Sequence, residues 1–357
     1  MKPRPLARYD DFVGYQAGKP IEEVTRELGL TRVVKLASNE NPHPPHPAVH
    51  DAVARDVAQG HRYPDDLSHD LATALAAFHG VGREQILLGA GSTDVLTFSW
   101  RVVSGPGDLG VYGWPSFVMY PVAGFYSGAT NVPVPLRSGA LDLDALLDAV
   151  RRPEARILAF CNPNNPTGSH VGHDDAIAFL DQVPEHVLVV NDEAYFDYAD
   201  AADYPRLLPT VAQRPNVLTT RTFSKVYGLA GFRVGYGVGH ASLVSTLTMG
   251  RNPFAVSRLA QVAAMEALRH QDEVVRRVKD NSQERDRLLP LLAQRGFEPL
   301  PTQGNFVFVT PPDDRDWFDL LVRQGVIVRP MPEGLRITFG TAEEDDFLLH
   351  AIDTVSA

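Results

Sequence analysis

Three apolar runs in the middle of the chain restrict the possible folds most strongly. They span residues 157–160, 187–190 and 217–220, and a polar motif follows each of them directly. None of the runs alternates polar and apolar residues, which is typical of strands in a parallel sheet that helices cover on both faces. Stretches of helical length separate the runs and predict β-α-β crossovers. The sequence therefore predicts an α/β fold whose polar motifs meet at the carboxyl edge of the sheet, where open sheets of this class bind ligands.

The length of the chain, 357 residues, predicts more than one domain. A long amphipathic stretch over residues 259–294 leads into strands and helices that lack the polar motifs of the earlier part. We therefore expect an N-terminal arm over residues 1–30, a large domain over 31–249 and a smaller α/β C-terminal domain over 250–357.

Composition argues against several classes of function. The formal net charge of −11 repels nucleic acid and anionic membranes, so a small anionic ligand has to be bound by a local cluster of donors. The single cysteine, Cys161, rules out an internal disulfide and a cysteine-based metal cluster. Prolines separate His43, His46 and His50, which we expect to be loop residues rather than metal ligands. No signal peptide and no apolar run of about 18 residues is visible, so we expect a cytoplasmic protein.

Lys225 is the candidate centre of the chemistry. It follows the third apolar run and lies among glycines and hydroxyl groups, with Thr222 and Ser224 just before it and Arg233 downstream. These neighbours suit an anionic phosphate. A lysine amine beside a phosphate site is what pyridoxal 5'-phosphate (PLP) requires, because the amine forms a Schiff base with the aldehyde of the cofactor while the protein binds its phosphate. Taken alone, the segment is also compatible with a solvated loop lysine.

Two other motifs meet further requirements of that cofactor. Gly91, Ser92 and Thr93 stand at the start of a predicted helix, with Ser92 or Thr93 as its cap, and backbone N–H groups at a helix start bind phosphate. Asp192 follows a buried strand and is the candidate carboxylate that keeps the pyridine nitrogen protonated. A capped helix and a turn aspartate would explain the two motifs separately.

Three side chains would complete the site around the pyridine ring. Tyr195 and Asn165, at neighbouring strand ends, are candidate donors to the ring oxygen. Phe117 is a candidate cover for the ring face, with a core phenylalanine as the alternative. All these residues occur in the order in which a doubly wound sheet would bring them together. Their joint presence favours the cofactor site over separate structural explanations.

The chain resembles the fold-type I PLP-dependent transferases and, within them, the histidinol-phosphate aminotransferase family. The segments that carry the resemblance are residues 15–20, 37–42, 62–64, 162–168, 192–195, 222–225, 233 and 335–338. They are spread over nearly the whole chain. The resemblance implies a large domain with a mostly parallel seven-stranded sheet between helices, a smaller α/β C-terminal domain, and PLP-dependent transfer of an amino group.

The resemblance also implies a role for each matching residue. Lys225 would carry the Schiff base and move protons, Asp192 would pair with the pyridinium, and Tyr195 and Asn165 would donate to the ring oxygen. The implied phosphate-binding residues are Ser92, Thr93, Thr222, Ser224 and Arg233. The implied substrate-binding residues are Tyr15, Asn41, Tyr63, Arg329 and Arg336.

Four of the substrate-binding residues have more specific implied partners. Arg336 would bind the α-carboxylate of glutamate in a bidentate pair, whereas Arg329 and Tyr15 would face the distal end of the amino substrate. Tyr63 would reach the cofactor phosphate of the partner subunit. The resemblance therefore implies a homodimer with shared sites.

The sequence indicates the type of reaction more clearly than the identity of the substrate. The leading hypothesis is transfer between L-histidinol phosphate and 2-oxoglutarate, in histidine biosynthesis. The connection between Arg329 and Arg336 is shorter than in many relatives, so an aromatic amino acid such as phenylalanine stays open as the donor. A PLP-dependent decarboxylase of a phosphorylated amino acid is a third hypothesis. A PLP-sensing regulator is disfavoured, because the chain shows neither a helix-turn-helix extension nor a basic face for DNA.

Overall fold

The computed structural model describes residues 9–10, 12, 14, 18–211 and 213–356. Its helices are α1 (Ile21–Leu28), α2 (Pro47–Asp56), α3 (His69–His79), α4 (Ser92–Val103), α5 (Met119–Ser127), α6 (Leu143–Val150), α7 (His173–Leu180), α8 (Leu208–Val211), α9 (Ala241–Thr248), α10 (Arg258–Arg269), α11 (Gln271–Ala293), α12 (Trp317–Arg323) and α13 (Ala342–Ser356). Its strands are β1 (Val34–Lys35), β2 (Ile86–Gly89), β3 (Leu109–Trp114), β4 (Thr130–Pro135), β5 (Ala155–Cys161), β6 (Leu188–Asp192), β7 (Val217–Thr222), β8 (Gly235–Gly239), β9 (Glu298–Pro299), β10 (Phe306–Thr310), β11 (Val326–Ile327), β12 (Arg329–Met331) and β13 (Gly334–Thr338). In the described part of the chain, none of the helices has both the length and the apolar character needed to cross a bilayer.

The central sheet has seven strands in the order β2-β8-β7-β6-β5-β3-β4. β8 runs antiparallel to β2 and β7, and every neighbouring pair from β7 to β4 is parallel. This mostly parallel sheet confirms the fold class expected from the sequence. Because β5, β6 and β7 are neighbours that point the same way, the motifs that follow them share one edge of the sheet.

The burial of β5 explains why its apolar run shows no alternation. Ile157 and Ala159 pack into the core that α4, α5 and α9 form on one face of the sheet. Leu158 and Phe160 pack into the core that α6 and α7 form on the other face. Because burial of a large apolar side chain contributes about 1.5–3 kcal/mol, both faces of the strand favour apolar residues.

A second core lies on the C-terminal side. Strands β12, β13, β10 and β9 form a four-stranded antiparallel sheet, and β1 pairs in parallel with β11. Helices α11, α12 and α13 supply fully buried side chains to this core, among them Leu288, Trp317 and Leu348. Residues 34–35 therefore pair with the C-terminal part although they precede the central sheet in the sequence. The domain boundaries expected from the sequence stay predictions.

The long amphipathic stretch contains two helices. Helix α10 ends at Arg269 and α11 begins at Gln271, with His270 between them at φ −106° and ψ 63°. The His270 ring stacks on His46 with 3.9 Å between centroids and bonds to the carboxylate of Glu266. These contacts hold the break, which the apolar spacing of the sequence does not reveal.

The start of α4 also differs from the prediction. The N-cap is Gly91, whose φ of 90° would strain any residue with a side chain. Ser92 and Thr93 already belong to the helix, and neither side chain caps it. The expectation of a hydroxyl cap was therefore wrong, because the backbone needs a glycine at the capping position.

The histidines after β1 take ordinary structural positions. Nδ1 of His46 accepts a hydrogen bond of 3.2 Å from the N–H of Ala48 and so caps α2. His43 and His50 lie near the carboxylates of Asp280 and Asp51. Among the described residues, no group of three or more His, Cys, Asp or Glu residues is placed to hold a metal ion.

Candidate active site

A cavity of about 430 Å³ lies at the carboxyl edge of the central sheet, and a deeper one of about 200 Å³ adjoins it. The residues that line both are Ser38, Thr93, Phe117, Asn165, Tyr195, Lys225 and Arg233. The outer cavity is also lined by Arg329, Met331 and Arg336, and the deeper one by Ser92, Cys161, Asp192, Thr222 and Ser224. The motifs that follow separate strands in the sequence therefore surround one space.

Lys225 stands at the boundary of the two cavities. Its Nζ donates a 3.3 Å hydrogen bond to the backbone carbonyl of Ser38 and lies 5.6 Å from the centre of the Tyr195 ring. Burial, followed by the positive charge of Arg336, lowers the pKa of the ammonium to about 7. The side chain can therefore supply a neutral amine near neutral pH, which a loop lysine in water cannot.

Asp192 ends β6 and lies at the floor of the deeper cavity. Its Oδ2 accepts a 2.9 Å hydrogen bond from the phenol of Tyr120, and its Oδ1 accepts from the N–H of Ala194 at 3.2 Å and from the hydroxyl of Thr220 at 3.4 Å. Burial raises the pKa of the carboxyl group, and the three donors lower it. The donors thus keep a carboxylate in one orientation at the bottom of the cavity.

An anion-binding corner lies beside Lys225. The guanidinium of Arg233 donates to Oγ of Ser224 at 3.3 Å and to the carbonyl of Ala90 at 3.3 Å. It also lies against Gly91, where a side chain would collide with it. The positive end of α4 begins at Ser92 in the same corner. A guanidinium, hydroxyl groups and a helix N-terminus together suit a phosphate.

Two polar side chains near Lys225 are held by groups outside the central sheet. Oδ1 of Asn165 accepts a 2.6 Å hydrogen bond from Arg336, which also donates to the carbonyl of Ala37 at 2.5 Å. The phenol oxygen of Tyr195 accepts a 2.8 Å hydrogen bond from the amide of Asn39. The orientation of both side chains therefore depends on residues before β2 and on β13.

The lining of the outer cavity includes both cationic and apolar side chains. Arg329 on β12 and Arg336 on β13 are register partners in an antiparallel pair. A hairpin turn at Pro332 and Glu333 joins the two strands. Residues 117–119, at the start of α5, contribute apolar side chains to the lining of the same cavity. Two neighbouring guanidinium groups can bind carboxylates or phosphates, and apolar side chains can contact a ring.

Comparison with known proteins identifies the family. A family model described as aminotransferase class I and II matches residues 31–352. The chain belongs to this family. The resemblance that the sequence motifs indicate is thereby confirmed, together with the α/β fold.

Individual relatives of this aminotransferase can be aligned with it over almost their whole length. The chain is 42% identical over 347 residues to histidinol-phosphate aminotransferase 1 of Nitrosococcus oceani, with 96% of this chain and 94% of the relative covered. It is also 42% identical over 353 residues to histidinol-phosphate aminotransferase 2 of Methylococcus capsulatus, with coverage of 96% and 95%. A crystal structure of histidinol-phosphate aminotransferase from Sinorhizobium meliloti in complex with pyridoxal-5'-phosphate has a TM-score of 0.91, 29% identity and coverage of 99% and 98%.

Two of the predicted substrate-binding residues of this aminotransferase, Tyr63 and Asn41, do not line the cavity. Tyr63 is 82% exposed and stacks on Phe254 with 4.7 Å between ring centroids. Asn41 lines a neighbouring groove, and its amide donates to the phenol of Tyr198 and the carbonyl of Val226 at 3.3 and 3.2 Å. Tyr15 lies outside the described residues. The roles expected for these three residues stay predictions.

Sequence reasoning missed several residues that hold the aminotransferase site together. Tyr120 lies in the apolar helix α5 and reads as a core aromatic in the sequence. Asn39 is part of the family motif at 37–42, yet its bond to Tyr195 spans 156 positions. Ser38 contributes only its backbone carbonyl. No local signal marks these contacts, because each depends on how distant segments pack.

Proposed function

We propose that this aminotransferase uses PLP to transfer the amino group of L-histidinol phosphate to 2-oxoglutarate, giving imidazole acetol phosphate and L-glutamate. One cavity is lined jointly by a low-pKa lysine, a buried carboxylate and an anion-binding corner, and this observation carries the proposal. Relatives named histidinol-phosphate aminotransferase support the choice of substrate.

The residues of the deeper cavity fit PLP. Lys225 would hold its aldehyde carbon, and Asp192 would face its ring nitrogen from the cavity floor. The residues around the anion-binding corner would hold its phosphate: Gly91, Ser92, Thr93, Thr222, Ser224 and Arg233. Phe117 would cover one ring face, while Tyr195 and Asn165 would donate to the ring oxygen. When bound, the cofactor takes up the electron pair that is released at the reacting carbon of the substrate.

Proton movement would depend on Lys225. Because its pKa is about 7, a large fraction of its Nζ is neutral at physiological pH and can accept the proton of the reacting carbon. The carbonyl of Ser38 accepts a hydrogen bond from Nζ and so limits where it can point. Asp192 would stay negative, which stabilises positive charge at the ring nitrogen.

The two arginines explain how two different substrates could share one cavity. Histidinol phosphate carries a phosphate and no α-carboxylate, whereas 2-oxoglutarate carries two carboxylates. Arg336 would bind the α-carboxylate of the oxo acid in a bidentate pair, and Arg329 would bind the distal anionic group of either substrate. The apolar side chains at 117–119 would contact the imidazole ring.

We also propose a homodimer whose subunits share their active sites. Tyr63 projects from the surface of its own subunit, and Phe254 beside it is also exposed, at 42%. Tyr63 would complete the phosphate site of the partner subunit. The cytoplasmic location expected from the sequence stays a prediction.

A half-reaction screen tests the function. The PLP form is mixed separately with histidinol phosphate, phenylalanine and threonine phosphate, and conversion to the pyridoxamine form is followed by absorbance. We expect rapid conversion with histidinol phosphate and its reversal by 2-oxoglutarate. Fast reaction with phenylalanine and none with histidinol phosphate would contradict the proposed substrate. Release of carbon dioxide from threonine phosphate without 2-oxoglutarate would instead indicate a decarboxylase.

A further inference from the structure

We infer that Asn39 is a positioning residue that directs the hydroxyl hydrogen of Tyr195 into the cavity, and that Thr338 fixes the orientation of the Asn39 amide. The inference rests on the proposed function, in which Tyr195 donates to the ring oxygen of PLP. It concerns how this donor is oriented, not whether the cofactor binds.

The three residues form a buried hydrogen-bonded chain. Asn39 is 1% exposed, Thr338 3% and Tyr195 4%. The backbone N–H of Asn39 donates to Oγ1 of Thr338 at 3.0 Å, and this Oγ1 donates to Oδ1 of Asn39 at 3.1 Å. Nδ2 of Asn39 then lies 2.8 Å from the phenol oxygen of Tyr195.

The direction of each bond follows from the orientation of the Asn39 amide, whose oxygen lies against Thr338. Oδ1 can only accept, so the hydroxyl hydrogen of Thr338 is donated to it, while Oγ1 of Thr338 accepts from the backbone N–H of Asn39. With Oδ1 engaged by Thr338, the NH₂ group of the amide faces Tyr195. The phenol oxygen is thus an acceptor toward Asn39, and its hydrogen has to point elsewhere.

The hydrogen of Tyr195 is left for the cavity. The Tyr195 ring packs edge-on against Phe306, with 4.9 Å between centroids, which restricts movement of the ring. Burial raises the pKa of the phenol well above its usual value, so the group stays protonated and can donate. Tyr195 lines both parts of the cavity. The amide of Asn39 therefore selects the direction in which a protonated phenol donates.

The backbone at Asn39 adds to the constraint. Its φ of 53° lies in the left-handed region, which asparagine tolerates better than most residues. The carbonyl of Asn39 accepts from the amide of Asn305 at 3.2 Å, which holds this conformation. Thr338 lies two positions after Arg336 on β13, the strand that also orients Asn165. Both candidate donors to the ring oxygen are thus oriented from the same strand.

The test measures the pH midpoint of the absorbance change of bound PLP, together with its dissociation constant. A donor to the ring oxygen stabilises negative charge there, so its loss should raise the midpoint, by roughly one pH unit for Tyr195→Phe. Asn39→Gly keeps the left-handed backbone without the amide and should raise the midpoint by about half as much. Thr338→Val should shift it in the same direction, because the amide is no longer held.

A matched control separates positioning from general destabilisation. Thr302 is buried and has the same bonding pattern as Thr338, since its Oγ1 accepts from the N–H of Gly304 and donates to the carbonyl of Phe306. Thr302→Val should weaken folding to a similar extent and leave the midpoint where it is. In a Tyr195→Phe background, Asn39→Gly should cause no further shift.

The possible outcomes distinguish the inference from the proposed function. If the unaltered protein fails to bind PLP, the proposed function is wrong. If it binds PLP and Tyr195→Phe shifts the midpoint while Asn39→Gly and Thr338→Val do not, the inference is overturned. A shift by Asn39→Gly that persists without the Tyr195 hydroxyl would overturn it as well. If Asn39→Gly does not fold, the pH midpoints of Thr338→Val and Thr302→Val are compared instead. A raised midpoint in Thr338→Val alone supports the inference, and equal midpoints overturn it.

Discussion

The phenol of Tyr120 on helix α5 donates a 2.9 Å hydrogen bond to Oδ2 of Asp192 at the end of strand β6. Tyr120 is fully buried and stacks on Trp100, with 6.3 Å between ring centroids. Because Oδ2 and Oδ1 both accept bonds from the protein, the carboxylate has one orientation before any ligand arrives. The hydrophobic core on one face of the sheet thus sets the geometry of the cavity floor.

Removing this phenol should move the acid limb of the pH profile. Burial raises the pKa of Asp192 above its ordinary value and Tyr120 lowers it, so Tyr120→Phe should raise it further. A shift of about one pH unit corresponds to the loss of one hydrogen bond to a charged group. In the proposed function activity would require the ionised carboxylate, so it should disappear at a higher pH as the solution is acidified. Asp192→Asn is the reference, with kcat lower by about 100-fold or more at every pH. An unchanged acid limb in Tyr120→Phe would show that the phenol does not influence the carboxylate.

Lys225 should make the stability of the cofactor-free protein depend on pH. Its pKa is about 7 in the folded protein, compared with 10.5 for a lysine side chain in water, so the unfolded chain binds more protons between these two pH values. Stability should therefore rise with pH over this range. Below pH 7, Lys225→Met should therefore have a higher free energy of unfolding than the unaltered chain. We expect a difference of about 1–3 kcal/mol, because partial solvation of the ammonium reduces the full effect. The difference should shrink toward pH 10. Chemical denaturation at several pH values measures it. A difference that does not change with pH would contradict the lowered pKa.

Mixed dimers should reveal whether the sites are shared. Lys225→Ala and Tyr63→Ala are each expected to be nearly inactive alone. After denaturation and joint refolding, half of the dimers should be mixed, and each should contain one intact site, so activity should return to about a quarter of the unaltered level. In the control, the two folded variants are mixed without denaturation, so that their subunits do not exchange. Activity that stays at the sum of the two separate variants would mean that Tyr63 acts in its own subunit or not at all.

Asp345 should destabilise the protein at alkaline pH. It is 0% exposed, and burial raises the pKa of its carboxyl group to about 8, although the N–H of Gly340 lowers it. The folded chain therefore binds more protons than the unfolded chain above pH 4, and stability falls as pH rises toward 8. Asp345→Asn should raise the stability at pH 9 by about 1–2 kcal/mol, with little gain at pH 5. Thermal unfolding measures the effect.

The matched control for Asp345 lies on the same helix. Asp353 is a half-exposed carboxylate whose pKa the guanidinium of Arg295 lowers. Asp353→Asn should therefore bring no gain at pH 9. An equal gain from both substitutions would point to the net charge of the protein instead of the burial of Asp345.

Much of the fold and part of the site could be predicted from the sequence. Runs such as 157–160 are apolar on both faces because helices cover both faces, and this pattern is local. Lys225 and Asp192 follow such strands, so topology alone brings them together. Sequence patterns do not reveal features that depend on contacts between distant side chains. The break at His270 depends on His46, which no periodicity in the helical stretch could indicate.

The same limit applies to the residues that orient the site. Tyr120 looks like one more apolar position of α5, and only the register between the helix and β6 shows that its hydroxyl meets a carboxylate. Asn39 lies in a recognisable motif, but its amide direction is set by Thr338, 299 positions away. Hydrogen-bond direction is a property of the packed protein, so these contacts had to be seen in the structure.

The short hairpin between β12 and β13 has a consequence for how the enzyme could change its preference. Only Pro332 and Glu333 join the two paired strands, so the separation of the Arg329 and Arg336 backbones is set by the spacing between neighbouring strands. In the proposed function, the two guanidinium groups would thus favour substrates whose negative groups match this separation. We expect new substrate preferences to arise at residues 117–119, which line the same cavity and whose side chains can change volume without altering the β12–β13 hairpin.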